Sequence, residues 1–67
     1  MLSKNIKRLR NKYKLSQEGL AQKAGITYST LIKIESGANK NPTLETMRKL
    51  ASVFKVGLDE LVGERGA

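Results

Sequence analysis

The sequence predicts an all-α domain built from five short helices. Three features support this. Apolar residues recur at helical spacing in five separate segments. The segments are punctuated by Gly25, Ser36-Gly37, Pro42 and Gly57. Ser16 and Thr43, residues suited to helix N-caps, stand before two of them.

The first helix is expected over residues 3–12. Leu2, Ile6, Leu9 and Tyr13 fall on one helical face, and Lys4, Lys7, Arg8 and Lys12 occupy the others. The second helix starts after Ser16, with Glu18 in the first turn, where the macrodipole favours a negative charge. Leu20, Ala21 and Ala24 form its buried stripe, and Gly25 ends it in the left-handed region. The third helix is expected over residues 27–35, with Leu31 and Ile34 inward and Ile26 plugging the turn before it. Residues 38–42 form a loop in which Pro42 keeps Asn41 out of the helical region. Thr43 then caps a fourth helix that runs to Phe54 and buries Leu44, Met47, Leu50, Ala51 and Phe54. A last turn or two carries Leu58, Leu61 and Val62, with Asp59 and Glu60 near its start. Residues 63–67 read as a frayed tail.

A chain of 67 residues holds one domain, expected to span 1–67. It has no cysteine, so cross-links are excluded, and no histidine, so the usual zinc and haem ligands are missing. No metal or cofactor is expected. Helices this short depend on packing, with self-association as a further source of stability. The lack of cysteine fits a reducing cytoplasm. Apolar runs of two or three residues cannot span a bilayer, and Met1-Leu2-Ser3-Lys4 does not read as a signal peptide. Enzymatic activity is not expected. The carboxylates do not cluster beyond Asp59-Glu60, and Ser16, Ser29 and Ser36 have no base to activate them.

Charge distribution points to a polyanion. Residues 1–42 hold nine Lys/Arg against Glu18 and Glu35, whereas residues 43–67 hold four of each sign. The whole net charge of +7 therefore sits in the first two thirds of the chain. The plainer reading is a solvated surface.

The segment at residues 16–37, SQEGLAQKAGITYSTLIKIESG, joins two helices through a tight turn. Such a crossing needs a small residue where the backbones approach, and Ala21 is one. The turn needs a residue that tolerates positive φ, and Gly25 is one. Leu20, Ala24, Ile26, Leu31 and Ile34 supply the apolar contacts that fix the angle. Together these meet the requirement of a helix-turn-helix. Ser-Gln at 16–17, Leu-Ala at 20–21, Gly25 and Ile-Glu-Ser-Gly at 34–37 resemble the phage Cro/repressor family, also called XRE-type. The basic first helix, Asn41-Pro42-Thr43 and Leu58-Asp59-Glu60-Leu61 extend the resemblance over nearly the whole chain.

The resemblance implies a five-helix, lambda-repressor-like fold and sequence-specific binding of double-stranded DNA. It implies a cytoplasmic, nucleoid-associated transcriptional regulator of bacterial or phage origin, a repressor that reads a near-palindromic operator with its third helix in the major groove. With Leu31 inward and a step of about 100° per residue, Ser29 and Lys33 lie near the opposite face. Tyr28 is oblique, at the end that enters the groove in this family. Tyr28, Ser29 and Lys33 are therefore the expected base readers, with Thr27 and Ile32 as helpers. Lys33 suits guanine O6 and N7, Ser29 donates or accepts, and Tyr28 offers a hydroxyl and a ring edge to a thymine methyl. The plainer readings are a turn-covering Tyr28 and a solvated face at Ser29 and Lys33. Many relatives carry glutamines on this face and this chain does not, so their operators do not transfer.

The resemblance also implies that Gln17 contacts a phosphate and braces the start of the third helix. Lys40 and Asn39 come next as phosphate contacts, then Arg10 and Lys23, with Ser36 adding a hydroxyl. Lys40 and Lys23 read equally as solvated. Arg10 has a second role in the family, as the ion-pair partner of the residue matching Glu35, and that structural reading is preferred here. Dimers on half-sites about 34 Å apart are the usual solution for such modules. A weak or DNA-induced homodimer through Val56, Leu58 and Val62 is expected, with Leu61 closing the monomer core instead. The alternative function is a protein-interaction or antitoxin-type module that sequesters a partner. RNA binding is disfavoured, because two of the three aromatics, Tyr13, Tyr28 and Phe54, read as buried. A further reading is that the chain is the N-terminal part of a longer repressor.

Overall fold

The structure, a computed structural model, describes residues 2–63. It contains α1 (Leu2–Lys12), α2 (Gln17–Ala24), α3 (Tyr28–Ser36), α4 (Leu44–Phe54) and α5 (Leu58–Val62), with no strand among the described residues. Of the expected tail, residues 64–67 lie outside the described residues.

Local chemistry sets the helix ends. The Ser16 hydroxyl accepts from the Gly19 N–H at 2.9 Å, and Gly25 closes α2 at φ 72° with its N–H on the carbonyls of Ala21 and Gln22. The Thr27 hydroxyl accepts from the Thr30 N–H at 3.1 Å, and Thr43 does the same for Thr46 at 3.2 Å. The start of α5 is held by the Gly57 N–H, which donates to the Glu60 carboxylate at 3.4 Å.

Every helix contributes to one core. Ile6 and Leu9 come from α1, Leu20, Ala21 and Ala24 from α2, and Leu31 and Ile34 from α3. Leu50, Ala51 and Phe54 come from α4, and Leu61 from α5. Helices α1, α2 and α4 thus support α3 and α5 from behind, and the second and third helices cross at the expected tight turn. Asn5 adds a tie between the ends of the chain. Its Nδ2 donates to the carbonyls of Leu61 and Gly63, both at 2.8 Å, and so caps the C-terminal end of α5.

The structure differs from the pattern at several points. Helix α1 starts at Leu2, one residue early. Leu44 is exposed rather than buried, and burial grades along α4 from Leu44 through half-buried Met47 to fully buried Leu50 and Phe54. Its neighbours cover the later turns, and periodicity gives a direction but not how far those neighbours reach. Tyr13 is also largely exposed. It lies just past α1, its ring tilted on Phe54 at a centroid separation of 5.5 Å, with the hydroxyl donating to the Phe54 carbonyl at 2.8 Å. That anchored edge leaves the rest of the ring at the surface.

Candidate nucleic-acid interface

Helix α3 has two sharply different sides. Leu31, Ile34 and Glu35 face inward and are buried, whereas Tyr28, Ser29 and Lys33 are exposed. Ile32 and Thr30 flank the exposed row and are half-buried. Thr27 sits at the N-terminal end, its hydroxyl shared between the Thr30 N–H and the Thr30 hydroxyl at 2.8 Å. Tyr28 borders a shallow depression lined by Glu18, Ala21, Gln22 and Ile26, so the ring stands over the crossing of α2 and α3. The five residues expected to read bases thus run from the N-cap of α3 to its second turn.

The inner side is locked by a polar network. The Glu35 side chain is 2% exposed and accepts from Arg10 Nε at 2.7 Å, from Arg10 Nη2 at 3.4 Å and from Gln17 Nε2 at 3.0 Å. Arg10 Nη1 also donates to the Leu15 carbonyl at 2.8 Å. The Glu35 carboxylate therefore links α1, α2 and α3, and Arg10 ties in the turn after α1. A buried carboxylate is tolerated only when its charge and lone pairs are met, and here they are. This fixes α3 against the rest of the domain with its exposed row outward.

The network sharpens the expected role of Gln17. It braces the C-terminal end of α3 through Glu35, not the N-terminal end. No local pattern signals a contact between residues 18 apart. Gln17 also opens α2, where first-turn N–H groups not taken by Ser16 are available to an anion. Arg10 is committed to Glu35 and Leu15 and acts on α3 from behind.

The remaining phosphate candidates fall into two places. Ser36 ends α3, and Asn39 and Lys40 lie just past it. The Ser36 hydroxyl donates to the Lys33 carbonyl at 3.2 Å and accepts from the Ala38 N–H at 3.3 Å. The Asn39 side chain accepts from the Asn41 N–H at 3.0 Å, while its N–H closes α3 on the Lys33 carbonyl at 2.9 Å. Lys40 is exposed. Lys23 lies elsewhere, in a shallow groove between α2 and α4 with Glu45, Arg48 and Lys49. Among the described residues, no group of three or more His, Cys, Asp or Glu side chains is placed to hold a metal ion. No helix among them is long and apolar enough to cross a membrane.

This geometry has clear counterparts. Residues 6–61 match the family model described as helix-turn-helix. The chain belongs to the Cro/repressor-type helix-turn-helix family. This helix-turn-helix chain is 38% identical over 64 residues to the cryptic phage CTXphi transcriptional repressor RstR of Vibrio cholerae, covering 96% of this chain and 57% of the repressor. It superposes on the N-terminal DNA binding domain of SinR from Bacillus subtilis with a TM-score of 0.94 at 31% identity, covering 100% of this chain and 97% of that one. A crystal structure of SinR, the master regulator for biofilm formation, in complex with DNA matches with a TM-score of 0.87 at 33% identity, over 91% of this chain and 97% of that one. The chain spans between 29% and 59% of the length of several curated relatives that it matches.

Proposed function

We propose that this helix-turn-helix domain binds double-stranded DNA sequence-specifically and acts as a transcriptional repressor, with α3 in the major groove. The observation that carries the reading is the exposed strip of Tyr28, Ser29 and Lys33 on a helix whose opposite side is locked by the core and by Glu35. Tyr28, Ser29 and Lys33 read base edges, with Thr27 and Ile32 beside them. Gln17, at the start of α2, and Lys40 contact phosphates, and Asn39 and Ser36 shape the loop that presents Lys40. Arg10 orients α3 through Glu35, and Lys23 is a peripheral cation. The domain catalyses no reaction and works in the cytoplasm, at the nucleoid.

A near-palindromic operator calls for two copies. Leu61 is fully buried in the monomer core, while Val62 is exposed and Val56 and Leu58 are half-buried against that core. That small patch fits a weak homodimer, or one completed on DNA. Sedimentation with and without operator DNA tests it, and a strict monomer on a single half-site refutes it.

The direct test of DNA binding is the affinity for a duplex as salt rises. Each phosphate neutralised contributes a slope of about −0.9 in log K against log salt. A steep fall is expected. A salt-independent partner held by the neutral C-terminal third favours the protein-sequestering alternative instead.

A further inference from the structure

We propose that the outer face of α1 is a second polyanion site, which holds the phosphate backbone of a second DNA duplex while α3 reads the first. This rests on the DNA-binding reading above and extends it from one duplex to two.

The eleven residues of α1 include five cations and no acid, and the first acid in the chain is Glu18. Arg10 is paired with Glu35. Lys4, Lys7, Arg8 and Lys12 are all exposed, and none has an ion-pair partner among the described residues. Their placement is unfavourable for the isolated domain. Lys4 sits in the first turn, where the macrodipole disfavours a cation. Lys4 and Arg8, then Arg8 and Lys12, are like charges at i,i+4, and Lys4 and Lys7 at i,i+3. A polyanion laid along this face removes all of these repulsions together.

The face does not belong to the α3 interface. At about 100° per residue, the mean direction of Lys4, Lys7, Arg8 and Lys12 lies roughly 130° around α1 from Arg10, the side chain that reaches α3. It also points away from Ile6 and Leu9, which are buried. A duplex in contact with Ser29 and Lys33 is therefore on another side of the domain.

The chemistry of the face selects the occupant. From Lys4 to Lys12 it extends about 12 Å along the helix, and about seven phosphate charges lie along that length of duplex axis. Asn11, also exposed, completes the row, which has no aromatic or aliphatic anchor. Protein interfaces are depleted in lysine and centre on such anchors. A sequence-independent phosphate backbone needs none.

The test uses the full chain, a bead-tethered duplex of mixed sequence and a free fluorescent duplex. Wild-type protein is expected to retain the free duplex on the beads. The variant Lys4→Gln/Lys7→Gln/Arg8→Gln/Lys12→Gln is expected to lose that retention by about tenfold or more, while its affinity for a single duplex stays within about threefold. Relief of like-charge repulsion keeps its thermal midpoint at or above that of the wild type. If the wild type binds one duplex without bridging, or the variant bridges as well as the wild type, this inference fails and the α3 reading stands. Bridging by the variant also identifies a two-headed dimer as the cause. If the wild type captures phosphatidylserine/phosphatidylcholine vesicles and not a second duplex, the face is a membrane-surface site and the inference fails. If it binds no duplex at all, both readings fail.

Discussion

Replacing Glu35 with alanine should cost this domain a large share of its stability. The substitution removes an acceptor that is 2% exposed and that holds Arg10 at 2.7 Å and Gln17 at 3.0 Å. Breaking a buried ion pair from one side costs about 3–5 kcal/mol, because the other charge is left without a partner. Arg10 keeps its bond to the Leu15 carbonyl, and its side chain is 16% exposed, so some water reaches it. The lower end, about 3 kcal/mol, is therefore expected. A domain of this length has roughly 3–10 kcal/mol in total. At about 4–8 °C per kcal/mol, thermal unfolding followed by far-UV circular dichroism should fall by about 12 °C or more. The double replacement Arg10→Met/Glu35→Leu removes both charges and should recover most of the loss. A shift below about 4 °C for Glu35→Ala, equivalent to less than about 1 kcal/mol, would refute the network as the brace of α3.

Two further outcomes follow from the helix ends. Lys55 ends α4 at φ 57°, a left-handed conformation that glycine adopts without strain. Lys55→Gly should therefore raise stability by about 0.5–1 kcal/mol, read from urea unfolding at constant m-value. Asn5→Ala removes two 2.8 Å bonds to the carbonyls of Leu61 and Gly63. At about 1 kcal/mol net for each bond, it should cost about 1–2 kcal/mol. It should also speed amide exchange in α5 more than in α3.

Much of this fold was legible because its signals are local. Ser16, Thr43 and Gly25 act within three or four residues of themselves, and each does in the structure what its side chain, or lack of one, suggests. The inward stripe of α3 followed from helical spacing alone. What escaped the pattern depends on distant partners. Asn5 finds its acceptors more than fifty residues away, and Gln17 finds Glu35 across the turn. Leu44 fits the stripe of α4 but lies at its open end. Lys14 and Lys55 take left-handed turns without glycine, because the chain closes there through backbone bonds that tolerate a side chain. The exposed strip on α3 was legible as a direction. The pairing of Arg10 with Glu35 came from family resemblance, and the structure supplies the geometry that makes the pair a brace.

The most direct test of the central claim is selection of bound sites from random DNA with the wild type, Lys33→Ala and Ser29→Ala. Each good base contact contributes about 1–3 kcal/mol of discrimination, so losing one should relax preference at specific positions of the enriched site. The wild type is expected to enrich one near-palindromic motif, altered at matching positions in both halves by either substitution. No enrichment with the wild type, or the same motif from all three proteins, would contradict it.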